Sequence, residues 1–207
     1  MAIIGLSKPY IAPYTNNGTT VTYGTPALLG KAVNLNLNLN SGSDNVLYAD
    51  NAPAESDNQF SGGTVGVQTD DLLADVYAAV LGLAEEAVPA GTGIPTGAKW
   101  IVFDDDQDTP YLALGGIVKK KVSGAIKYMA VIFDKIQFMN PNLAVATQGA
   151  TIEWQTPELS GNIMRSDNEK HSWQRHSTLC DSEAEAEAVL LSFFSPAAPA
   201  ADEDDGE

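Results

Sequence analysis

Residues Val33–Asn40 read VNLNLNLN. At a period of two, Val33, Leu35, Leu37 and Leu39 fall on one face and Asn34, Asn36, Asn38 and Asn40 on the other. That is the geometry of a half-buried β-strand with a polar outer face. An asparagine-rich low-complexity tract is the competing description, but the regular leucine partners and patterned flanks argue against it. The run requires a sheet with one dry side and one wet side. The remaining composition suits that requirement. Apolar residues are 44% of the 207, β-branched and aromatic residues are well represented, and there are 18 glycines, a mixture expected of a strand-rich domain.

Other segments add elements around this strand. Thr69–Leu81, TDDLLADVYAAVL, predicts a helix, with Thr69 as its cap and Asp70 and Asp71 in the first turn. Its apolar stripe of Leu72, Leu73, Val76, Tyr77, Val80 and Leu81 suits packing across a sheet, and Gly82 offers a stop. Ala87–Ala98 reads as a Pro- and Gly-rich loop, and Lys99–Phe103 as a short buried strand. Tyr111–Phe138 predicts a long hairpin about a two-residue Ser123–Gly124 turn, with Gly115–Gly116 marking a bulge or a close backbone approach. Thr151–Met164 and His171–Thr178 read as two more strands. Asp181–Phe194 reads as a second helix in which Ser182 and Glu185 have capping-box spacing.

Ser41–Ser61 is rich in Gly, Ser, Asn, Asp and Pro and reads as a long loop or extended arm. It carries Leu47, Tyr48 and Phe60, which either fold back on the same domain or pack on a partner surface. One domain is expected over residues 1–194, with 41–61 as an arm within it and 195–207 as a disordered acidic tail.

Net charge is −16, from 11 Lys and Arg against 27 Asp and Glu. Setting aside the five acids that follow Pro196 still leaves the body at −11. Such a field repels a phosphate backbone, so specific nucleic-acid binding is not expected. No run of 18 apolar residues suggests a transmembrane helix, and MAIIGLSKPY lacks the basic start and apolar stretch of a secretory signal. The single cysteine, Cys180, forms no internal disulfide and suits a reducing cytosol.

The chemistry-bearing residues do not converge. Asp104, Asp106 and Asp108 match the opening of a calcium loop. The frame then fails at Thr109, where glycine is needed, and at Gly115, where a bidentate acid is needed. His171 and His176 are five apart and diverge on a strand or a helix, so no zinc site with Cys180 is expected. GGTVG lacks the Gly-Lys-Ser/Thr ending of a phosphate loop. No catalytic residue, cofactor or metal is expected. Four of the eleven basic residues, Lys119, Lys120, Lys121 and Lys127, instead cluster at the hairpin tip. With a two-residue turn, Lys120 and Lys127 face each other, which is unfavourable for like charges. The cluster is either a solvated tip or a tip that docks on the acidic surface of another copy.

Three blocks carry a resemblance. They are LGKAVNLNLNLNSGSDNVLYADNAPAESDNQFSGGTVGVQTDDLLADV, FDDDQDTPYLALGGIVKKKVSGAIKYMAVIFDKIQF and TQGATIEWQTPELSGNIMRSDNEKHSWQR. Across roughly Ile3–Leu191 the chain resembles the major tail proteins of long, non-contractile-tailed bacteriophages, especially those infecting Gram-positive hosts. The resemblance implies a mainly β, α+β tail-tube fold, with two packed antiparallel sheets forming a sandwich or barrel, a helix at one side and a long inter-subunit loop. It implies a structural virion protein, assembled in the host cytoplasm, whose hexameric rings stack into a hollow tube. The implied partners are other copies, the tape-measure protein, tail terminator and distal tail proteins, and DNA that passes without specific binding. Membrane association is not implied. The inter-subunit contact candidates are Leu47, Tyr48, Phe60, Lys119, Lys120, Lys121, Lys127, Asp104, Asp105 and Asp106. A tail-completion or capsid decoration protein, or a β-sandwich binding module, is the alternative.

Overall fold

The computed structural model describes residues 2–41, 46–49, 52–56, 60–71, 74–141, 147 and 156–195. The strands are β1 (Ala2–Asn16), β2 (Val21–Tyr23), β3 (Ala27–Leu28), β4 (Ala32–Ser41), β5 (Val46–Ala49), β6 (Ala52–Ser56) and β7 (Phe60–Thr69). Helix α1 (Ala74–Leu81) precedes β8 (Ala84–Ala87), β9 (Lys99–Val102), β10 (Tyr111–Val122) and β11 (Ala125–Phe138). After β12 (Glu158–Ile163) and β13 (Gln174–His176), the chain ends its regular structure in α2 (Glu183–Phe194).

The main sheet is antiparallel and runs β2-β1-β10-β11-β12-β7-β4, with β3 on β1 and β13 on β11. The mainly β architecture, with two helices and antiparallel sheets, agrees with expectation. One sheet is continuous because β10 and β11 are long enough to serve both halves. Along one edge, β11 pairs β13 at Val131–Phe133 and β12 at Ile136–Phe138. Among the described residues no ladder joins β4 to β2, so the barrel is not closed.

The hairpin faces two cores, and a bulge keeps the large apolar residues of β11 on one of its faces. Leu112 pairs Ile136 but Leu114 pairs Phe133, so Ala113 stands opposite both Asp134 and Lys135. The extra residue reverses the inside–outside alternation of β11. Phe133 before it, and Ile136 and Phe138 after it, therefore share one core with Leu112, Leu114, Ile11, Val65, Val67 and α1 residues Val80 and Leu81. On the opposite face, Ala113, Ile117, Ala130 and Ile132 pack against Ala186, Leu190 and Phe194 of α2. Those helix residues are four apart and make a single stripe.

Gly115 supplies the close approach expected of the Gly115–Gly116 pair, since a Cβ there would lie 3.0 Å from Leu190 Cδ1. The bulge itself falls earlier, at Ala113. Ser182 caps α2 as anticipated, its side chain accepting from Glu185 N at 3.2 Å, while Glu185 Oε2 accepts from Asp181 N at 3.0 Å. The helix is fastened to β1 by its acids. Ser7 Oγ donates to Glu183 Oε1 at 2.7 Å, Tyr10 OH donates to Glu187 Oε1 at 2.7 Å, and Lys8 forms an ion pair with Glu187. Lys8 reaches it from a bulge in β1, at φ 50°, where the register with β10 shifts between Ser7 and Tyr10.

The first helix begins later than the sequence predicts. Thr69 still pairs Ala32 in the β4–β7 ladder, and its hydroxyl donates to Asp71 O at 3.0 Å instead of capping. Asp70 is taken up by strand geometry as well, its Oδ1 accepting from Lys31 N at 2.8 Å. Leu72 and Leu73 lie outside the described residues. Gly82 does end the helix, at φ 68°, with a Cβ position only 2.2 Å from Asp108 O. Lys99–Phe103 is also corrected. Among the described residues β9 pairs only β8, in a two-stranded ribbon, and Trp100 is 62% exposed rather than buried. The strand expected over Thr151–Met164 is described only from Thr156, with β12 its regular part. The acidic tail lies outside the described residues beyond Ser195.

Replacing Leu190 with Ala removes the side chain seated over Gly115 and is expected to cost about 2–5 kcal/mol, read from the urea midpoint. A second expectation concerns acid. The hydrogen bond from Lys8, then that from Tyr10, hold the Glu187 carboxyl below its ordinary 4.5. A depressed carboxylate stabilises the fold above its unfolded pKa, and that contribution disappears as pH falls through the folded value. The melting-temperature gap between wild type and Glu187→Gln should therefore be full at pH 7 and close progressively below pH 4.5.

Candidate assembly surface

The β10–β11 tip is built by its turn. Ser123 and Gly124 both have positive φ, 49° and 89°, as a two-residue hairpin turn of the primed type requires. The resulting register sets Lys120 opposite Lys127, as the sequence predicts. β1 runs alongside on the other edge of β10, with Ala2 opposite Lys121, Ile3 opposite Lys120 and Gly5 opposite Lys119. The tip is thus three strands wide. It exposes apolar side chains as well as charge, since Ile3 is 69% exposed and Ile4 and Ile126 are also exposed.

The four lysines are not equivalent. Lys127 forms an ion pair with Asp181, at the foot of α2. Lys119 lies over the Tyr128 ring, 5.9 Å from its centroid, and Lys120 Nζ lies 3.3 Å from Met129 Sδ. Among the described residues, Lys119, Lys120 and Lys121 form no ion pair.

The acidic candidates Asp104, Asp105 and Asp106 are exposed in the connection between β9 and β10. Gln107 holds this connection to the body. Its Nε2 donates to Leu81 O at 2.9 Å and to Asn140 Oδ1 at 2.8 Å, and Asn140 Nδ2 donates back at 3.1 Å. The turn is positioned by amides, and its carboxylates have no ion pair among the described residues. Beside it stands the β8–β9 ribbon with Trp100, followed by Phe103, 51% exposed and edge-on to Tyr77 at 6.1 Å. The sequence pattern gave no warning of this patch, because KWIVF is as apolar as a core strand.

The arm candidates divide. Leu47 and Tyr48 lie on β5, which pairs β6 and no other described strand, so part of the expected loop is a hairpin. Phe60 begins β7 and stacks on Trp173 of the same chain, ring centroids 4.3 Å apart and planes 4° apart. Its ring is committed to the chain's own body.

The remaining polar cluster is structural. Asp134, fully buried at the β11 bulge, accepts from Arg175 Nε at 3.0 and 2.9 Å and from the Ser172 hydroxyl. A buried carboxylate so paired holds β13 against β11. His171 Nδ1 lies 3.2 Å from Ser166 O, and His176 sits opposite Val131 on β13. Among the described residues no three or more His, Cys, Asp or Glu are placed to hold a metal ion, and no helix is long and apolar enough to cross a membrane.

Because like charges face each other across the hairpin, Lys120→Gln should stabilise the unassembled chain, by about 0.2–1 kcal/mol in urea unfolding. An unchanged or lowered midpoint would show that the facing lysines impose no strain. The chain matches no protein-family model and no curated protein.

Proposed function

We propose that this chain is the major tail, or tube, protein of a long non-contractile bacteriophage tail. Its copies form hexameric rings, and the rings stack into the hollow tube through which DNA leaves the virion. The observation that carries the reading is the family resemblance of the three sequence blocks, which span both the β4–β7 region and the β10–β11 hairpin. Two physical features support it. Among the described residues, the sheet ends at β4, a ten-residue strand that pairs β7 alone. A long open edge invites pairing with another chain, which an assembling protein uses and a monomer must block. The net charge of −16 also suits a wall past which DNA slides, since an acidic lumen offers phosphates repulsion and few contacts.

In this reading the protein has no catalytic role. Its partners are neighbouring copies, the tape-measure protein that occupies the tube before DNA does, and the proteins that close the tube at either end. The tail beyond Pro196 belongs to the outside of the tube, because six of the last seven residues are Asp, Glu or Gly and offer no apolar face for a packed contact.

Purified protein should form rings or tubes with a sixfold unit, seen by negative-stain microscopy and sedimentation. A stable monomer at high concentration under assembly conditions would sink the proposal. Removing residues 196–207 should leave tube formation intact, and loss of tubes on that deletion would place the acidic tail at a contact instead.

A further inference from the structure

Two patches of opposite sign lie at the far end of β10 and in the ribbon and connection that precede it in the chain. β10 is twelve residues long, which separates its ends by roughly 35–40 Å. At its finish, exposed Ile3 shares one face of the sheet with Lys120 and exposed Ile126 shares the other with Lys119 and Lys121, so the tip carries apolar and basic side chains on both faces. Before its start, exposed Trp100 and Phe103 are rimmed by Glu86 and by Asp104, Asp105 and Asp106. Within the chain, and among the described residues, neither set of charges has an ion-pair counterpart. Each patch also leaves large apolar side chains in water, an arrangement typical of a contact awaiting its partner.

We infer that the lysine- and isoleucine-bearing tip of one copy docks on the acidic Trp100–Phe103 patch of a second copy, forming the head-to-tail contact along the assembly. The inference rests on the reading that copies of this chain assemble with one another, and it names the surfaces that meet. The occupant follows from complementarity, as each patch carries exposed apolar side chains beside charges and the two are opposite in sign. A contact between two different patches, made once between each copy and the next, is heterologous, and its repetition builds a ring or an open stack. Trp100 is the anchor, because a large aromatic becomes valuable once the contact excludes water around it. Any one contact is small, and its repetition by every subunit of a ring gives the stack its strength.

The test reverses charge at each pole of the full chain. One variant carries Lys119→Glu, Lys120→Glu and Lys121→Glu, a second carries Asp104→Lys, Asp105→Lys and Asp106→Lys, and a third carries all six. Sedimentation and negative-stain microscopy read assembly, and circular dichroism verifies folding. If the triple variants do not fold, Lys121→Glu and Asp105→Lys, both at exposed positions, replace them. Each single-pole reversal should raise the critical assembly concentration, and the six-residue variant should restore it. Trp100→Ala should raise it roughly tenfold or more. Wild-type-like tubes from every variant, or no restoration in the six-residue variant, would overturn the inference while leaving the tube reading in place. If wild type forms no tubes but the two single-pole variants associate when mixed, the contact is real and the tube reading fails. Absence of both tubes and mixed association would remove both.

Discussion

An antiparallel hairpin with unbroken alternation offers each side chain to one face for its whole length. In the β10–β11 hairpin that alternation feeds two cores, with Leu112 and Leu114 on α1's side and Ala113 and Ile117 on α2's side. On β11, Asp134 and Lys135 both stand opposite Ala113 and shift the parity, so Ile136 and Phe138 stay on the face of Phe133 while Ala130 and Ile132 meet α2's side. The helices lie on opposite faces of the same strands. The bulge also exposes a buried carboxylate to its task. Asp134 takes Arg175 and Ser172, and β13 is thereby fixed along the edge of β11 that β12 leaves free.

How much of this could be read from the chain depended on whether local pattern and tertiary demand agreed. They agreed at β4, where leucine and asparagine alternate, and at the Ser123–Gly124 turn, where both residues accept positive φ. They agreed at α2 too, whose cap and apolar spacing are local. They disagreed at β1, where Pro9 and Pro13 look like strand breakers. Pro9 sits in a bulge, and both prolines serve as carbonyl acceptors, to Leu29 N and Gly24 N. They disagreed again at β7, whose glycines are unfavourable inside a strand. Gly63 is in fact required by crowding, since a Cβ there would lie 2.7 Å from Asn38 O. Glycine selected for a close approach and glycine selected for a turn look identical in one sequence.

The candidate surface was legible in part for the same reason. Charge is visible without a fold, so the lysine tip and the aspartate turn stand out at once. Exposure is not. Trp100 sits in an apolar run that imitates a buried strand, yet it is exposed on β9, which pairs β8 alone among the described residues. Phe60 shows the reverse. It lies at the end of a polar segment, yet Trp173, more than a hundred residues later, covers its ring.

The length of β10 and its place between β1 and β11 have a mechanical meaning. A pull between the two ends of β10 runs parallel to the strands that flank it. Force in that direction loads the hydrogen bonds of β10 with β1 and β11 side by side, in shear. They must yield together, unlike the bonds of a ribbon peeled from one end, which break in turn. A subunit gripped at these points would resist stretching along its long axis far better than it would resist being opened across it.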